Sequence, residues 1–307
     1  MSALGDALDR YAGMRRAFGY KFAAPERLLR DFVAFMDARA EAVITSKLGV
    51  DWATGTAGPA SWPSRLAAVR GFARHLACTE PLTEVPPIGI LRQPRRRTPY
   101  IYTEQEIGAL MDAVLTLPPT KGLRRWTYHY MFGLLAVTGL RIGEALRLKR
   151  DDVDFGAGIL TIHDTKFGKS RLVPIHPTTI AALTDYIDRR DARRSRAAGV
   201  YFFTAEHGGQ IYHQHAHRAF CLASRKIGLK PPPGHGGPRI HDLRHSYAVG
   251  TLLRWYRAGE AVEQRLPILS TYLGHTHTRD TYWYLSACPE LMEHAARRLD
   301  ARWEQSS

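Results

Sequence analysis

The stretch Leu273-Gly274-His275-Thr276-His277-Thr278-Arg279-Asp280-Thr281-Tyr282-Trp283-Tyr284 sets a tyrosine nine positions after a histidine that itself follows a glycine. Upstream stand His241-Asp242-Leu243-Arg244-His245, and before them Thr138-Gly139-Leu140-Arg141-Ile142-Gly143-Glu144. A lone tyrosine says little, and a lone His-x-x-Arg is common. The ordered set carries the information.

The residue types fit attack on a phosphodiester. Displacement at phosphorus spreads negative charge over the non-bridging oxygens, and arginine stays charged while donating two hydrogen bonds from a planar fork. Arg141 and Arg244 are the candidates to clamp those oxygens. Glu144, one helical turn from Arg141, is placed to orient it. His241 and Arg244, spaced i, i+3, face one point on a helix, and the glycine before His275 lets that turn approach a ligand closely. A tyrosine hydroxyl titrates near pKa ~10 and needs a cationic pocket to act as a nucleophile. Attack by it stores the bond energy in a phosphotyrosine, so no cofactor is required. The leaving 5′ oxygen needs an acid, and Lys166 or Lys169 on a hairpin turn is suited to that task.

Bulk composition agrees with a polyanionic partner. The chain has 307 residues, 45% of them hydrophobic, and a formal net charge of +14. Residues 1–97 hold 15 Lys and Arg against 9 Asp and Glu, and residues 98–307 hold 28 against 20. Both halves are therefore basic, as expected if nucleic acid lies between them. Three separated cysteines, Cys78, Cys221 and Cys288, form neither a CxxC pair nor a disulfide framework, which points to a reducing cytoplasm. No signal peptide is expected at the N-terminus, and the apolar run near Tyr130 to Val137 is too short to cross a bilayer.

Apolar periodicity predicts helices over 4–18 and 25–38, a short one from Thr45 to Trp52, and one with Leu66, Val69, Phe72, Ala73 and Leu76 on a face. Prolines 81, 86, 87, 94 and 99 mark a break, with Arg95-Arg96-Arg97 placed to cross a phosphate backbone. Thr103 and Glu106 form a capping-box pattern ahead of helices over 104–115, 123–137 and 142–149. Residues 159–163 and 171–175 read as strands joined through Lys166-Phe167-Gly168-Lys169. Further helices are expected over 177–192, 215–227, 241–258, 266–273 and 289–304.

Taken in order, these segments resemble the tyrosine recombinase (phage integrase) family over most of residues 98–290. They are the Thr138–Glu144 run, Lys166 in the hairpin, His241-x-x-Arg244-His245, Leu273-Gly274-His275 and Tyr284. The resemblance implies a mainly α fold with a small β-sheet. It divides the chain into a helical, SAM-like core-binding domain at 1–85, a linker at 86–99 and an α+β catalytic domain at 100–307. The last would end in a C-terminal helix over 289–304, and the whole would form a C-shaped clamp on double-stranded DNA.

The resemblance also implies roles. Arg141 and Arg244 would bind the scissile phosphate, His241 and His275 would assist by hydrogen bonding and proton transfer, and Lys166 would protonate the leaving oxygen. Tyr284 would form a 3′-phosphotyrosyl bond. Arg95, Arg96, Arg97, Lys169 and Arg171 would contact DNA. The expected activity is site-specific recombination by a self-associated tetramer through a Holliday junction, as in transposon or integrated-island recombinases. No cofactor and no metal are implied.

Tyr282 competes with Tyr284. Thr281 three residues before Tyr284, and its spacing from His275, favour Tyr284. A type IB topoisomerase shares the chemistry but acts as a monomer, and a non-catalytic DNA-binding regulator would need none of this set. His213-Gln214-His215-Ala216-His217, with Cys221 a turn further on, suggests a metal stripe. A stripe along one helix without a fourth ligand is a poor tetrahedral cage, so a DNA-facing or surface role is read there instead.

Overall fold

A computed structural model describes residues 2–55, 58–93, 97–163, 170–193, 199–229, 237–286, 290–293 and 296–297. The chain divides into two compact units, Met1–Arg97 and Thr98–Ser307.

The first unit is helical: α1 (Ala3–Ala17), α2 (Ala23–Asp37), α3 (Ser46–Gly55) and α4 (Trp62–Leu76). The Ser2 hydroxyl opens α1 by accepting the Gly5 N–H at 3.2 Å. One apolar stripe from each helix meets the others, burying Leu8, Leu29, Phe32, Met36, Trp52, Leu66, Val69 and Phe72. Burial of a side chain such as Phe32 or Phe72 contributes about 1.5–3 kcal/mol. The segment after α4 stays with this unit. Glu84 N donates to Ile44 O at 2.8 Å, and Arg70 donates from Nε to Pro86 O at 2.7 Å and from NH2 to Pro87 O at 2.9 Å. Residues 84–87 are thus fastened to the helical unit.

The second unit begins with α5 (Glu104–Leu115), opened by the Thr103–Glu106 capping box. α6 (Arg124–Thr138) and α7 (Ile142–Arg147) follow. A three-stranded antiparallel sheet then forms in the order β1 (Val153–Asp154), β2 (Ile159–Ile162), β3 (Arg171–Pro174), with Leu160 opposite Val173 and Ile162 opposite Arg171. The remaining helices are α8 (Pro177–Asp191), α9 (His213–Lys226), α10 (Ile240–Arg257), α11 (Val262–Leu273) and α12 (Arg279–Ser286).

Two apolar clusters organise this unit. One joins α6, the sheet, α8 and α9 through Phe132, Leu160, Val173, Tyr186, Phe202 and Phe220. The other packs α10, α11 and α12 through Val249, Leu252, Leu266, Leu269, Leu273 and Tyr284. Within the span expected to hold the last helix, 290–293 and 296–297 are helical. Leu291 is buried in the second cluster and Met292 is exposed. The rest of 289–304 lies outside the described residues.

Candidate active site

Gly139 ends α6 in the left-handed region, φ 64°, and a Cβ there would stand 2.6 Å from Tyr247 and 3.0 Å from Leu273. The chain therefore turns against α10 and α11 through a glycine. Two residues on, Arg141 sits at the N-cap of α7. Its backbone N–H donates to Glu144 Oε2 and its NH1 to Glu144 Oε1, both at 2.9 Å, while NH2 donates to Gly274 O at 2.9 Å. The fork is fixed at both ends but keeps about a third of its side chain, 31%, open to solvent.

Glu144 is buried and holds a second arginine. Arg171 donates from NH1 to Oε1 at 3.0 Å and from NH2 to Oε2 at 2.9 Å, and its Nε donates to Tyr272 O at 2.7 Å. Burial alone would raise the Glu144 carboxyl. The hydrogen bonds and charge of Arg171, then those of Arg141, outweigh burial and hold it at about 2. Arg171 was expected to contact DNA; here its donors reach protein groups. Its guanidinium is inside the protein and committed to a carboxylate and a carbonyl.

Helix α10 supplies His241, Arg244 and His245. Arg244 is 1% exposed. Its NH1 donates to Gly139 O at 2.8 Å and its NH2 to Leu273 O at 2.6 Å. Burial lowers this guanidinium to about 10, opposed by the neighbouring Tyr284, so it remains cationic at neutral pH. His241 keeps an exposed edge. The protein covering its other side, and then the charges of Arg244, Arg239 and Arg141, displace its titration downward. His245, one turn further into the fold, lies with its ring 4.9 Å from that of His241 and 5.3 Å from that of Tyr284.

The third wall is the end of α11 and the start of α12. Gly274 closes α11 in the left-handed region, φ 69°. His275 Nδ1 meets Thr281 Oγ1 at 2.8 Å, which leaves Nε2 for reacting groups. Burial, and then Arg244 and Arg141, lower His275 to about 4, so its imidazole is neutral at physiological pH. On α12, Thr281 and Tyr284 face inward at 0% and 2% exposure, whereas Tyr282 is 52% exposed. The Tyr284 ring stacks on His275 at 5.9 Å, and Tyr284 is a neighbour that holds the Arg244 titration up against burial. Two residues, just over half a helical turn, thus separate a tyrosine inside the cationic pocket from one outside it.

The structure brings together Arg141, Glu144, His241, Arg244, His275 and Tyr284, drawn from three helices, α7, α10 and α12, and the turn after α11. Lys166 and Lys169 lie outside the described residues, as do Arg95 and Arg96. Arg97 is exposed at the end of the first unit. Sequence reasoning named His245 and Thr281 but gave neither a role in the site. The i, i+4 spacing from His241 was the available signal for the first, and the i+3 step to Tyr284 for the second. On α9, the His213 and His217 rings stack at 6.4 Å, and Cys221 Sγ is 3.7 Å from His217 Nδ1. Among the described residues no three His, Cys, Asp or Glu side chains are grouped to hold a metal ion.

Residues 101–290, which contain this site, match the model of the phage integrase family. The chain belongs to that family. Among phage-integrase relatives, integrase/recombinase y4rB of Sinorhizobium fredii (strain NBRC 101917 / NGR234) is 48% identical, over 99% of each chain. The fold is shared with the Tn1549 transposon integrase in complex with transposon right end DNA, at a TM-score of 0.68 and 14% identity, over 96% of this chain and 98% of that one. It is also shared with a lambda integrase tetramer bound to a Holliday junction, at a TM-score of 0.61 and 18% identity, over 92% of this chain and 76% of that one.

Proposed function

We propose that this integrase-family chain is a site-specific DNA recombinase that cuts and rejoins DNA through a 3′-phosphotyrosyl bond on Tyr284. The observation that carries the reading is the enclosure of Tyr284, and not Tyr282, by Arg244, His275 and His245 in the region that matches the family.

In this reading Arg141 and Arg244 hold the two non-bridging oxygens and offset the charge that grows on them. Their forks are fixed beforehand by Glu144 and by main-chain carbonyls, so little reorganisation is needed at the moment of reaction. Tyr284 Oη attacks phosphorus and gives up its proton to a neutral imidazole, for which His275 is placed. The bond from phosphorus to the 5′ oxygen breaks, and that oxygen takes a proton from Lys166. Ligation runs the same steps backwards with a 5′ hydroxyl from another strand. Because Tyr284 is buried, a shift of α12 toward the phosphate precedes attack.

The reading includes strand exchange between several copies on duplex DNA, supported by the lambda integrase tetramer that shares this fold. It places the chain in the cytoplasm, with the chromosome. In support, among the described residues no helix is long and apolar enough to cross a membrane.

The test is denaturing capture of the protein from host cells, followed by peptide mapping of the attachment point and sequencing of the attached DNA. A nicked duplex built on that sequence then gives single-turnover rates. Wild type and Tyr282→Phe should form the adduct in the presence of a metal chelator, and Tyr284→Phe should form none. An adduct that persists in Tyr284→Phe would sink the assignment.

A further inference from the structure

Arg171 is buried and fully directed, yet it belongs to none of the roles above. It opens β3, and its three donors reach two other elements. The paired NH groups take both oxygens of Glu144 on α7, and Nε takes the carbonyl of Tyr272 near the end of α11. The side chain of Arg171 is 9% exposed and that of Glu144 is 2% exposed. Gly274 lies directly beneath the guanidinium. A Cβ on Gly274 would stand 2.8 Å from Arg171 NH1 and 2.9 Å from its Cζ, so the close passage requires glycine at that turn.

Charge counting shows what this contributes. Glu144 is ionised and touches Arg141 through Oε1 at 2.9 Å. Alone, that pair would have no net charge, and the field of Arg141 at a phosphate oxygen would be largely cancelled. With Arg171 on the same carboxylate, the three groups carry a net positive charge. Arg171 also occupies the outer side of both carboxylate oxygens, which limits where Arg141 can bond. An ordinary stabilising ion pair would need neither the second cation nor the contact to the His275 turn.

We propose that Arg171 is a positioning residue for the phosphate clamp. It neutralises Glu144 so that Arg141 keeps its charge for the substrate, and it ties Arg141 in register with the turn that carries His275. This rests on the recombinase reading above.

The test compares adduct formation on two nicked duplexes that differ only at the scissile position: an ordinary phosphate, and a methylphosphonate in which one non-bridging oxygen is a methyl group. The methylphosphonate transition state has one less negative charge to offset. Arg171→Ala should slow adduct formation about 10²-fold on phosphate and less than about tenfold on the methylphosphonate diastereomer whose methyl faces Arg141. Arg171→Lys, which keeps the charge without the fork, should lie between wild type and Arg171→Ala on phosphate and match wild type on methylphosphonate. On phosphate, the Arg171→Ala and Arg141→Ala losses should not multiply in the double variant.

Equal losses on both substrates, or losses that multiply, would show a purely structural role and overturn the proposal. If Arg171→Ala fails to fold by circular dichroism, the Arg171→Lys comparison decides. Failure of the wild type to form any adduct would instead overturn the recombinase reading, and with it the clamp that Arg171 is proposed to position.

Discussion

The two units bury different things. The core of the first is carbon: Leu29, Phe32, Met36, Val69 and Phe72 are fully enclosed, and among the described residues Arg65 is its only buried charged side chain. The second encloses Glu144, Asp242, Arg244 and His245. Burying a charge costs more than its partners commonly return, so these residues are poor instruments of stability. Glu144, Arg244 and His245 lie at the candidate active site, while Arg190 and Asp152 are buried elsewhere in the unit. The first unit is built to stay folded, and the second holds some of its unfavourable groups where a reaction needs them.

The largest effect should come from the apolar core. Phe72→Ala should destabilise the first unit by about 3–5 kcal/mol, read by denaturant titration, while a folded sample retains Tyr284 chemistry. Arg244→Met should do the opposite. It should slow adduct formation about 10²–10³-fold, equivalent to about 3–4 kcal/mol, with a smaller stability change than Phe72→Ala. A larger stability loss at Arg244 than at Phe72 would break the contrast.

Acid should separate the units as well. Glu144 is held at about 2 against an ordinary 4.5. The stability it contributes is whole above about pH 4.5 and is lost as pH falls toward 2, on the order of 3 kcal/mol. His275, held at about 4 against 6.5, acts in the same direction. The unfolded chain takes up that proton first, so stability declines as pH falls from about 6.5 to 4. NMR signals from residues 98–307 should therefore collapse at higher pH than those from residues 2–93. Simultaneous loss would remove the distinction. The smallest effect belongs to the exposed neighbour, because Tyr282→Phe should leave the single-turnover rate within about twofold of wild type.

Most of this arrangement was legible in sequence where local pattern carried it. The Leu66, Val69, Phe72, Ala73 stripe announces α4, and Thr103 with Glu106 announces α5. The short polar run Arg279–Ser286 was harder, since among its described side chains only Thr281 and Tyr284 are buried and no apolar period exists to detect. α11 starts at Val262, ahead of the expected start at 266, and Pro267 lies inside the helix. The task of Arg171 was invisible because its partners, Glu144 and Tyr272, are 27 and 101 residues away. Charge and spacing mark an arginine as available, and only the fold shows that it is taken.

The last turn of α11 is used through its main chain. Arg171, Arg244 and Arg141 hold the carbonyls of Tyr272, Leu273 and Gly274 in succession. A carbonyl survives every side-chain substitution, so a truncation scan across these three positions would understate their importance. Insertions, deletions and changes of chain path are what this segment will not tolerate, and a library of such length variants would expose a constraint that residue-by-residue replacement leaves hidden.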